Sequence, residues 1–481
     1  MKLIHPVLII RVLSTILLVG TTAFLVCIPV AIIYDEPVIP FYGSAIITGI
    51  ISILLRIFTK KADPEGMTSR DSFLTVTLAW IIFAFFGSFP YIISKSIPSL
   101  VDAIFESASG FTTTGASILT DVEILPYSIL FWRSLTHWIG GFGIVLLVIL
   151  ILPSLRVSGY QMFSLESSLK EKIHPKTKGI TLRIMMIYAG LTALEIIFLS
   201  IGDMNLFDSV CHSFATVATG GFSTKNISLG YYSAYSQYIV MLFMFLAGTS
   251  QVMYYYLVKR NFRKVKHNEE FWFYLAVVIF AGAMTFSILL VNTTRDPEEA
   301  FREAYFQVIS IITCTGFAND DFILWPQPGM ILIFLLMFAG GSTGSTSGGI
   351  KMARHLIAIK NIRNAFIRLV HPNIFPSLKL NGRLIDEKTN TSILSFILLY
   401  IFVFVAGTLF ISMNGGDPVT SASSVATCMA GIGPGFGTVG PMSNFSGIPA
   451  INKIALSFIM ILGRLEIITV FILFGKSFRR L

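Results

Sequence analysis

The sequence predicts an all-α integral membrane protein, in which two N-terminal transmembrane helices precede four pseudo-symmetric helix–pore-loop–helix units around one pore. Three observations predict this fold class. Hydrophobic residues make up 54% of the 481 residues and charged residues only 13%. Apolar stretches long enough to cross a bilayer recur along the chain. Between the later stretches, a short segment ending in glycine occurs four times with the same spacing.

The composition excludes a soluble protein, because a soluble chain of this length needs a more charged surface. The mean hydropathy is +0.76 and the net charge is +9. A basic chain can bind nucleic acid, but these basic residues form no patch on one domain, and no nucleic-acid partner is expected. Instead, about 28 of the 35 Lys and Arg residues lie in the predicted cytoplasmic segments, as the positive-inside rule requires.

Hydropathy predicts ten membrane spans. The first two lie near 7–31 and 41–59, and the other eight form pairs at 73–95 and 127–152, 180–201 and 236–258, 271–291 and 328–362, and 391–412 and 451–475. The corresponding division of the chain is an N-terminal helix pair (1–70) and pore units 1 (71–156), 2 (157–262), 3 (263–370) and 4 (371–481). An even number of spans and the basic loops between pairs place both termini in the cytoplasm, so we expect a multi-pass membrane protein surrounded by lipid.

The repeated segment lies between the two spans of each pair. Its four copies read DAIFESASGFTTTG (102–115), DSVCHSFATVATGG (208–221), EAYFQVISIITCTG (303–316) and TSASSVATCMAGIG (420–433). Each copy has Asp, Glu or Thr thirteen residues before the final glycine, a choice suited to the start of a helix. Each also has a polar residue nine before it: Glu106, His212, Gln307 and Ser424. An interfacial hairpin is the alternative for one copy, but it does not explain four.

The end of each copy is suited to binding a cation. Backbone carbonyls that point inward replace the hydration water of an ion, and glycine accepts the dihedral angles that this requires. The C-terminal end of a short helix adds partial negative charge at the same place. We therefore predict a cation-binding selectivity filter, with no covalent cofactor, formed by Thr113, Thr114, Gly115, Thr219, Gly220, Gly221, Cys314, Thr315, Gly316, Gly431, Ile432 and Gly433.

One predicted span, 328–362, contains a glycine- and hydroxyl-rich stretch that disfavours a continuous helix. A phosphate-binding loop is excluded by its spacing, because Ile350 separates Gly349 from Lys351. A passive kink and a mobile plug beneath the filter both remain open, and the plug is favoured. The gate would then comprise Gly340, Gly341, Ser342, Thr343, Gly344, Ser345, Thr346, Ser347, Gly348, Gly349 and Lys351.

Arg464 lies near the middle of the last predicted span. An arginine at that depth is costly and faces a cavity or a partner. One hypothesis is a structural ion pair, for which Glu195 is a candidate and Glu466, on another helix face, is not. The other hypothesis is a fixed positive charge below the filter that acts with the glycine-rich stretch as a gate.

At these residues the chain resembles the Trk/Ktr/HKT superfamily of potassium-translocating proteins, and within it the TrkH type. The resemblance covers nearly the whole chain and is carried by SGFTTTGAS (109–117), THWIGGFGI (136–144), TGGFST (219–224), TCTGF (313–317), GGSTGSTSGGIK (340–351), GIGPGFG (431–437) and GRLE (463–466). It implies a K⁺-channel-like fold, a homodimer with one pore per protomer, and a ring of cytoplasmic TrkA-like nucleotide-binding subunits. In this family serine at the first filter glycine accompanies sodium preference, so Gly115 favours potassium.

Two other function classes, a secondary symporter and an enzyme, are less consistent with the sequence. A secondary cation symporter with inverted repeats and coupling to Na⁺ or H⁺ would show broken helices in corresponding halves, and the sequence indicates only one broken helix. An enzyme would need clustered catalytic side chains, whereas the seven histidines are scattered. The favoured function is potassium uptake without enzymatic activity. Passive conduction and proton coupling, and the nucleotide that acts on the partner, remain open.

Overall fold

The protein is described from a computed structural model, in which residues 4–60, 68–146, 177–374 and 376–474 are described. The helices are α1 (Pro6–Ile33), α2 (Ile39–Phe58), α3 (Ser69–Gly87), α4 (Phe89–Ile93), α5 (Leu100–Phe111), α6 (Tyr127–Leu146), α7 (Thr177–Ile201), α8 (Leu206–Val217), α9 (Ala234–Ala247), α10 (Gln251–Val258), α11 (Phe262–Lys266), α12 (Glu269–Asn292), α13 (Pro297–Ile312), α14 (Gln327–Leu336), α15 (Met352–Val370), α16 (Glu387–Met413), α17 (Pro418–Ala430), α18 (Ala450–Arg464) and α19 (Ile467–Phe474). Two short antiparallel strands, β1 (Lys379–Leu380) and β2 (Arg383–Leu384), form a hairpin.

The prediction of a helical membrane fold is confirmed, with fewer straight spans than expected. Among the described residues six helices are long and apolar enough to cross a membrane, or up to eight if each of two bent pairs counts as one span. The ten predicted spans exceed this number partly because the span predicted at 328–362 divides into the ten-residue α14 and the basic helix α15. The boundary predicted at 156/157 and the C-terminal basic residues Lys476, Arg479 and Arg480 lie outside the described residues.

The prediction of a single broken helix was wrong. Helices α9 and α10 meet at 93°, and α18 and α19 meet at 110°. The first bend follows Gly248, where a Cβ would come within 2.7 Å of Thr313 Cγ2. The second bend contains Glu466, whose φ of 62° lies in the left-handed region. Hydropathy does not detect these breaks, because the residues on both sides of each bend are apolar.

Polar contacts join α1 to α2 and join this N-terminal helix pair to unit 1. The Ser52 hydroxyl donates to the Ser14 carbonyl at 2.7 Å, and the Thr21 and Thr48 hydroxyls lie 2.9 Å apart, so α1 and α2 are hydrogen-bonded within an apolar interface. Asp71 forms a capping box with Thr68 at the start of α3. The same carboxylate accepts the amide of His5 at 2.8 Å, which ties the start of α1 to unit 1.

Each of the four units folds as a long helix, a short helix and a second helical segment, which is continuous in unit 1, bent in units 2 and 4 and interrupted by a loop in unit 3. The short helices are α5, α8, α13 and α17, and their buried residues form the centre of the two largest hydrophobic clusters. Units 4 and 1 are linked by Lys453 of α18, which donates to Asp102 of α5 at 2.7 Å and to the Ser446 carbonyl at 2.9 Å. Side chains from the last unit therefore contact the first, and the four units close into a ring.

Substituting Lys453 tests this closure. We expect Lys453→Met to lower the free energy of unfolding by about 2 kcal/mol, because a hydrogen bond to a charged partner is lost while the apolar stem remains. The measurement is the thermal unfolding midpoint of detergent-purified protein. Lys95→Met is the matched control, since Lys95 is exposed and forms no salt bridge within the described part of the chain. Equal midpoints for the two variants would contradict a contribution from the Lys453–Asp102 pair.

Candidate functional site

Three of the four short helices begin with side-chain caps that lie three residues before the residues predicted to start them. The side chains of Ser99, Asn205 and Asp417 accept the amides of Asp102, Asp208 and Thr420. The third copy differs, because α13 begins at Pro297 and Glu303 is its seventh residue. Glu303 instead pairs with Arg295 at 2.8 Å. The prediction that each copy starts a helix thus holds for three copies and is wrong for the third.

The four glycine loops follow these helices: loop 1 (113–115), loop 2 (219–221), loop 3 (314–316) and loop 4 (431–433). All four share one backbone pattern, in which the first and third residues have left-handed φ and the middle residue does not. The first residues Thr113, Thr219, Cys314 and Gly431 have φ of 52°, 54°, 56° and 74°, and the glycines Gly115, Gly221, Gly316 and Gly433 have φ of 79°, 81°, 81° and 100°. Alternating handedness turns successive carbonyls toward the same side.

The loops contact one another in the order 1, 2, 3, 4, 1. A Cβ placed on Gly115 would overlap the carbonyl oxygen of Gly220, one on Gly221 that of Thr315, and one on Gly316 that of Ile432. The ring closes at Gly433, where a Cβ would lie 2.8 Å from the Thr114 carbonyl oxygen. Each conflict involves a glycine and the residue before the glycine of the next loop. The sequence repeat therefore corresponds to rotational symmetry about one axis.

All four glycines line one cavity of about 140 Å³, which also contacts residues 117–122 and 439–445. The C-terminal ends of the short helices precede the glycine loops, so their partial negative charges lie close to this cavity. On its outer side the Asn226 amide donates to Asp121 Oδ1 at 2.8 Å and holds the pKa of that carboxyl below its usual value. The arrangement provides oxygen ligands for a cation and little for an anion.

In the first three copies, the polar residue nine positions before the ring glycine holds the segment that follows the loop. Glu106 accepts the Ser117 hydroxyl and the Ile118 amide, each at 3.0 Å, and pairs with buried Arg133 at 2.9 Å. His212 contacts the Ser223 hydroxyl at 2.9 Å. Gln307 donates to the Asp320 carbonyl at 3.2 Å.

In the fourth copy the same role belongs to Ser423, one position earlier than the alignment indicates. Its hydroxyl accepts the Phe436 amide at 2.9 Å and donates to the Phe436 carbonyl at 3.1 Å. Ser424 bonds within its own helix to the Ser421 carbonyl. A one-residue shift is invisible in the sequence because both positions hold serine.

The glycine-rich stretch predicted as a gate forms an extended intramembrane loop (337–351) between α14 and α15. The loop contacts the ends of two short helices. The Thr346 hydroxyl donates to the Val217 carbonyl at 3.0 Å at the end of α8, and a Cβ on Gly348 would overlap the Ala430 carbonyl at the end of α17. The Cys314 thiol of loop 3 lies 3.7 Å from the Ala339 carbonyl oxygen. The intramembrane loop therefore lies directly beside the glycine ring.

Arg464 lies at the C-terminal end of α18, immediately before the bend, rather than inside a continuous helix. Its guanidinium donates to the Thr346 carbonyl at 2.8 Å and to the Gly140 carbonyl at 3.4 Å. It is 6% exposed and forms no salt bridge within the described part of the chain. Glu195 of α7 is also buried and does not pair with it. The contacts of Arg464 thus connect α18 to the intramembrane loop and to α6.

Three charged residues hold the intramembrane loop and the helices around it: Lys351, which belongs to the predicted gate, and Glu270 and Arg354, which the sequence analysis did not assign to the site. Buried Glu270 accepts the amides of Thr343 at 2.6 Å and Ala353 at 3.1 Å, which ties the middle of the loop to the first turn of α15. Arg354 forms a salt bridge with Glu466 in the bend between α18 and α19. Lys351 donates to Ser347 within the loop, to both its carbonyl and its hydroxyl. Charges at or near predicted membrane segments are the signal that identifies such residues.

Comparisons with known proteins identify the family of this chain. The family model described as "TrkH: Cation transport protein" matches residues 41–479. The chain belongs to the TrkH family. It is 33% identical to the Trk system potassium uptake protein TrkH of Escherichia coli K12 over 92% of this chain and 97% of the relative. It is also 33% identical to the Trk system potassium uptake protein TrkI of Halomonas elongata, over 98% of this chain and 96% of the relative.

A solved structure of the same family has the same fold. The crystal structure of the potassium transporter TrkH from Vibrio parahaemolyticus matches with a TM-score of 0.90 and 29% identity, covering 98% of this chain and 99% of that chain. Family membership and the apolar helices identify a multi-pass membrane transport protein. The relatives named here are transporters rather than enzymes.

Substituting a ring glycine tests the role of the ring. We expect Gly115→Ser or Gly221→Ser to abolish ion flux or to lower potassium-over-sodium preference roughly tenfold or more, equivalent to about 1.4 kcal/mol. The added Cβ conflicts with a carbonyl of the neighbouring loop and moves it. Uptake of both ions in a potassium-transport-deficient bacterial strain is the measurement.

Gly415→Ser is the matched control, because Gly415 has φ of 91° but no atom within 4 Å of the added Cβ. It imposes similar backbone strain away from the ring, so we expect wild-type ion preference. Ring variants that fold and retain wild-type preference would contradict the role assigned to the ring.

Proposed function

We propose that the protein takes up potassium across the bacterial inner membrane and that the glycine ring is its selectivity filter. The observation that carries this proposal is the closed order of contacts between the four glycine loops around one cavity. Loops that present carbonyls to one cavity offer a cation the coordination it loses with its hydration shell. The names of both curated relatives, potassium uptake proteins, support potassium as the ion.

The filter comprises Thr113–Gly115 and the three equivalent triplets. Glycine at all four ring positions favours potassium, because a side chain at any one of them displaces a neighbouring carbonyl. The carbonyls of Thr114, Gly220, Thr315 and Ile432 lie at the contacts between loops, so they are the best candidates for K⁺ ligands. The first residue of each loop adds one more carbonyl, and Thr113 also adds a buried hydroxyl.

The intramembrane loop and Arg464 form the gate in this proposal. Its support is the position of the loop beside the ends of α8 and α17, and the contact of Arg464 with the Thr346 carbonyl. A fixed guanidinium beneath the ring raises the energy of a cation there. Movement of α15 would reach the loop through Ala353 and Glu270, and would reach the bend beside Arg464 through the Arg354–Glu466 salt bridge.

The structure also bears on the competing symporter hypothesis. Its units 2 and 4 both contain bent spans, so the absence of corresponding breaks no longer argues against a symporter with inverted repeats. The glycine loops nevertheless follow one another around one axis in the same orientation, which is rotational and not inverted symmetry. We therefore retain channel-like conduction as the proposal, with coupling to Na⁺ or H⁺ as the alternative.

The proposed partners are a second copy of the chain and TrkA-like nucleotide-binding subunits on the cytoplasmic side, with both termini also cytoplasmic. The support for the cytoplasmic subunits is the basic character of α15, which bears Lys360, Arg363 and Arg368. The α15 helix begins directly after the intramembrane loop, so a protein bound there would be close to the gate. The positive-inside rule assigns this side of the membrane to the cytoplasm.

Transport by purified protein in liposomes tests the proposed function. We expect accumulation of potassium or rubidium down an imposed gradient, competed by potassium far better than by sodium. Repeating the measurement with and without a pH gradient separates the two mechanisms, since flux independent of the proton gradient indicates conduction. Folded protein that carries neither ion, alone or with its cytoplasmic partner, would overturn the proposal.

Substituting Arg464 tests the gate. We expect Arg464→Ala to increase potassium flux several-fold, because even a fraction of the roughly 4 kcal/mol between unit charges about 4 Å apart at an effective dielectric near 20 is a large rate factor. Arg464→Lys keeps the charge and serves as the control, with flux near wild type. A purely structural role predicts the reverse: poorly folded protein and lost flux in Arg464→Ala, because the Thr346 and Gly140 carbonyls lose their donor.

A further inference from the structure

We propose that His137 of α6 is a positioning residue for the selectivity filter, where it takes the place of a side chain that loop 2 lacks. The inference rests on the proposed function. It starts from a difference between the loops. The residue before the ring glycine is Thr114 in loop 1, Thr315 in loop 3 and Ile432 in loop 4, but it is Gly220 in loop 2.

The imidazole of His137 occupies the space that a side chain at position 220 would need. A Cβ built on Gly220 would overlap Nδ1 of His137 and lie within 2.7 Å of Cε1, and these ring atoms are its nearest neighbours. Gly220 has no left-handed φ, so its backbone conformation does not require glycine. Position 220 is therefore glycine because the His137 ring packs against it and leaves no space for a side chain.

In loops 1 and 3 the residue before the ring glycine is stabilised by a hydrogen bond to a threonine two residues earlier in the chain. The hydroxyls of Thr112 and Thr114 lie 2.8 Å apart, and those of Thr313 and Thr315 also lie 2.8 Å apart. Loop 2 cannot form this pair, because its equivalent residues are Ala218 and Gly220. Support for loop 2 must come from another element, and His137 is the side chain in contact with it.

His137 is itself held firmly. It is fully buried, and its ring stacks on Phe222 with centroids 4.1 Å apart and an angle of 14° between the planes. The Arg133 guanidinium lies 4.1 Å from the centroid of the same Phe222 ring. Neither ring nitrogen of His137 has a hydrogen-bond partner within the described part of the chain, so stacking and close packing set its position.

The backbone of α6 approaches the filter closely enough for this contact to matter. A Cβ on Gly140 would overlap the Phe111 carbonyl, and a Cβ on Gly141 would come within 2.8 Å of Ala218. The carbonyl of Gly220 is the atom that a Cβ on Gly115 would meet. Removing the imidazole leaves space behind Gly220, so its carbonyl recedes and the ring widens between loops 1 and 2.

The test compares potassium and sodium uptake by reconstituted His137→Ala. We expect the potassium-over-sodium ratio to fall roughly tenfold, equivalent to about 1.4 kcal/mol, with a raised KM for potassium. The double variant His137→Ala/Gly220→Thr gives loop 2 the residue found in loops 1 and 3 and fills the space. We expect it to recover most of the ratio, which a general loss of packing would not allow.

Met460→Ala is the matched control for lost core volume. Met460 is buried three residues before Gly463, as His137 is before Gly140, and a Cβ on either glycine would overlap a carbonyl four residues before a ring glycine. Loop 4 has its own side chain at Ile432, so we expect Met460→Ala to lower stability and keep the ratio. Equal losses of ratio in His137→Ala and Met460→Ala would overturn the inference.

Two further outcomes are informative. If His137→Ala does not fold, His137→Val replaces it in the test. Valine retains apolar volume but is too short to contact Gly220 as the imidazole does. An unchanged potassium-over-sodium ratio in His137→Val overturns the inference. If wild-type protein transports potassium and folded His137→Ala keeps its ratio, only the role of His137 fails. If wild-type protein carries no potassium, the proposed function itself fails.

Discussion

The fit between the four glycine loops is the constraint on which the rest of the structure depends. Each ring glycine lies so close to a carbonyl of the next loop that no Cβ fits between them, and this is repeated at all four contacts. Short helices, side-chain caps and the polar residues Glu106, His212 and Gln307 all position the loops for that fit. The long helices approach closely at Gly140 and Gly463, where glycine again permits contact with a backbone carbonyl.

The region beneath the ring lacks the symmetry of the ring, because the units differ there in their helix breaks and in their charged residues. Unit 3 contributes the intramembrane loop, while units 2 and 4 contribute bends beside it. A polar loop at this depth is tolerated because its amides are satisfied by Glu270 and by the Gly248 carbonyl. Arg464 and the Arg354–Glu466 salt bridge join the loop to the last two helices. A symmetric ring of loops thus lies beside an asymmetric set of helix breaks and charged contacts.

The helical fold and the glycine loops could be predicted from the sequence, because hydropathy and repeat spacing reflect requirements that lie within short segments. The four ring glycines, the glycine-rich stretch and Arg464 were each recognisable from such a local pattern: a repeat, a composition or a charge within an apolar segment. The bends at Gly248 and Glu466 did not, since apolar residues on both sides conceal them. Two features depend instead on contacts between distant segments: the use of Ser423 in place of Ser424, and the position of His137 against Gly220. Such contacts leave no periodic pattern in a single chain.

The most direct measurement is the location of a bound ion in an experimental structure of the protein. Crystals or particles prepared in rubidium or thallium salts would show heavy-ion density, and the account predicts it on the axis between the carbonyls of Thr114, Gly220, Thr315 and Ile432. The same density should be lost when sodium replaces these ions. Density only elsewhere in the protein, or equal occupancy by sodium at the ring, would contradict a potassium-selective filter at this site.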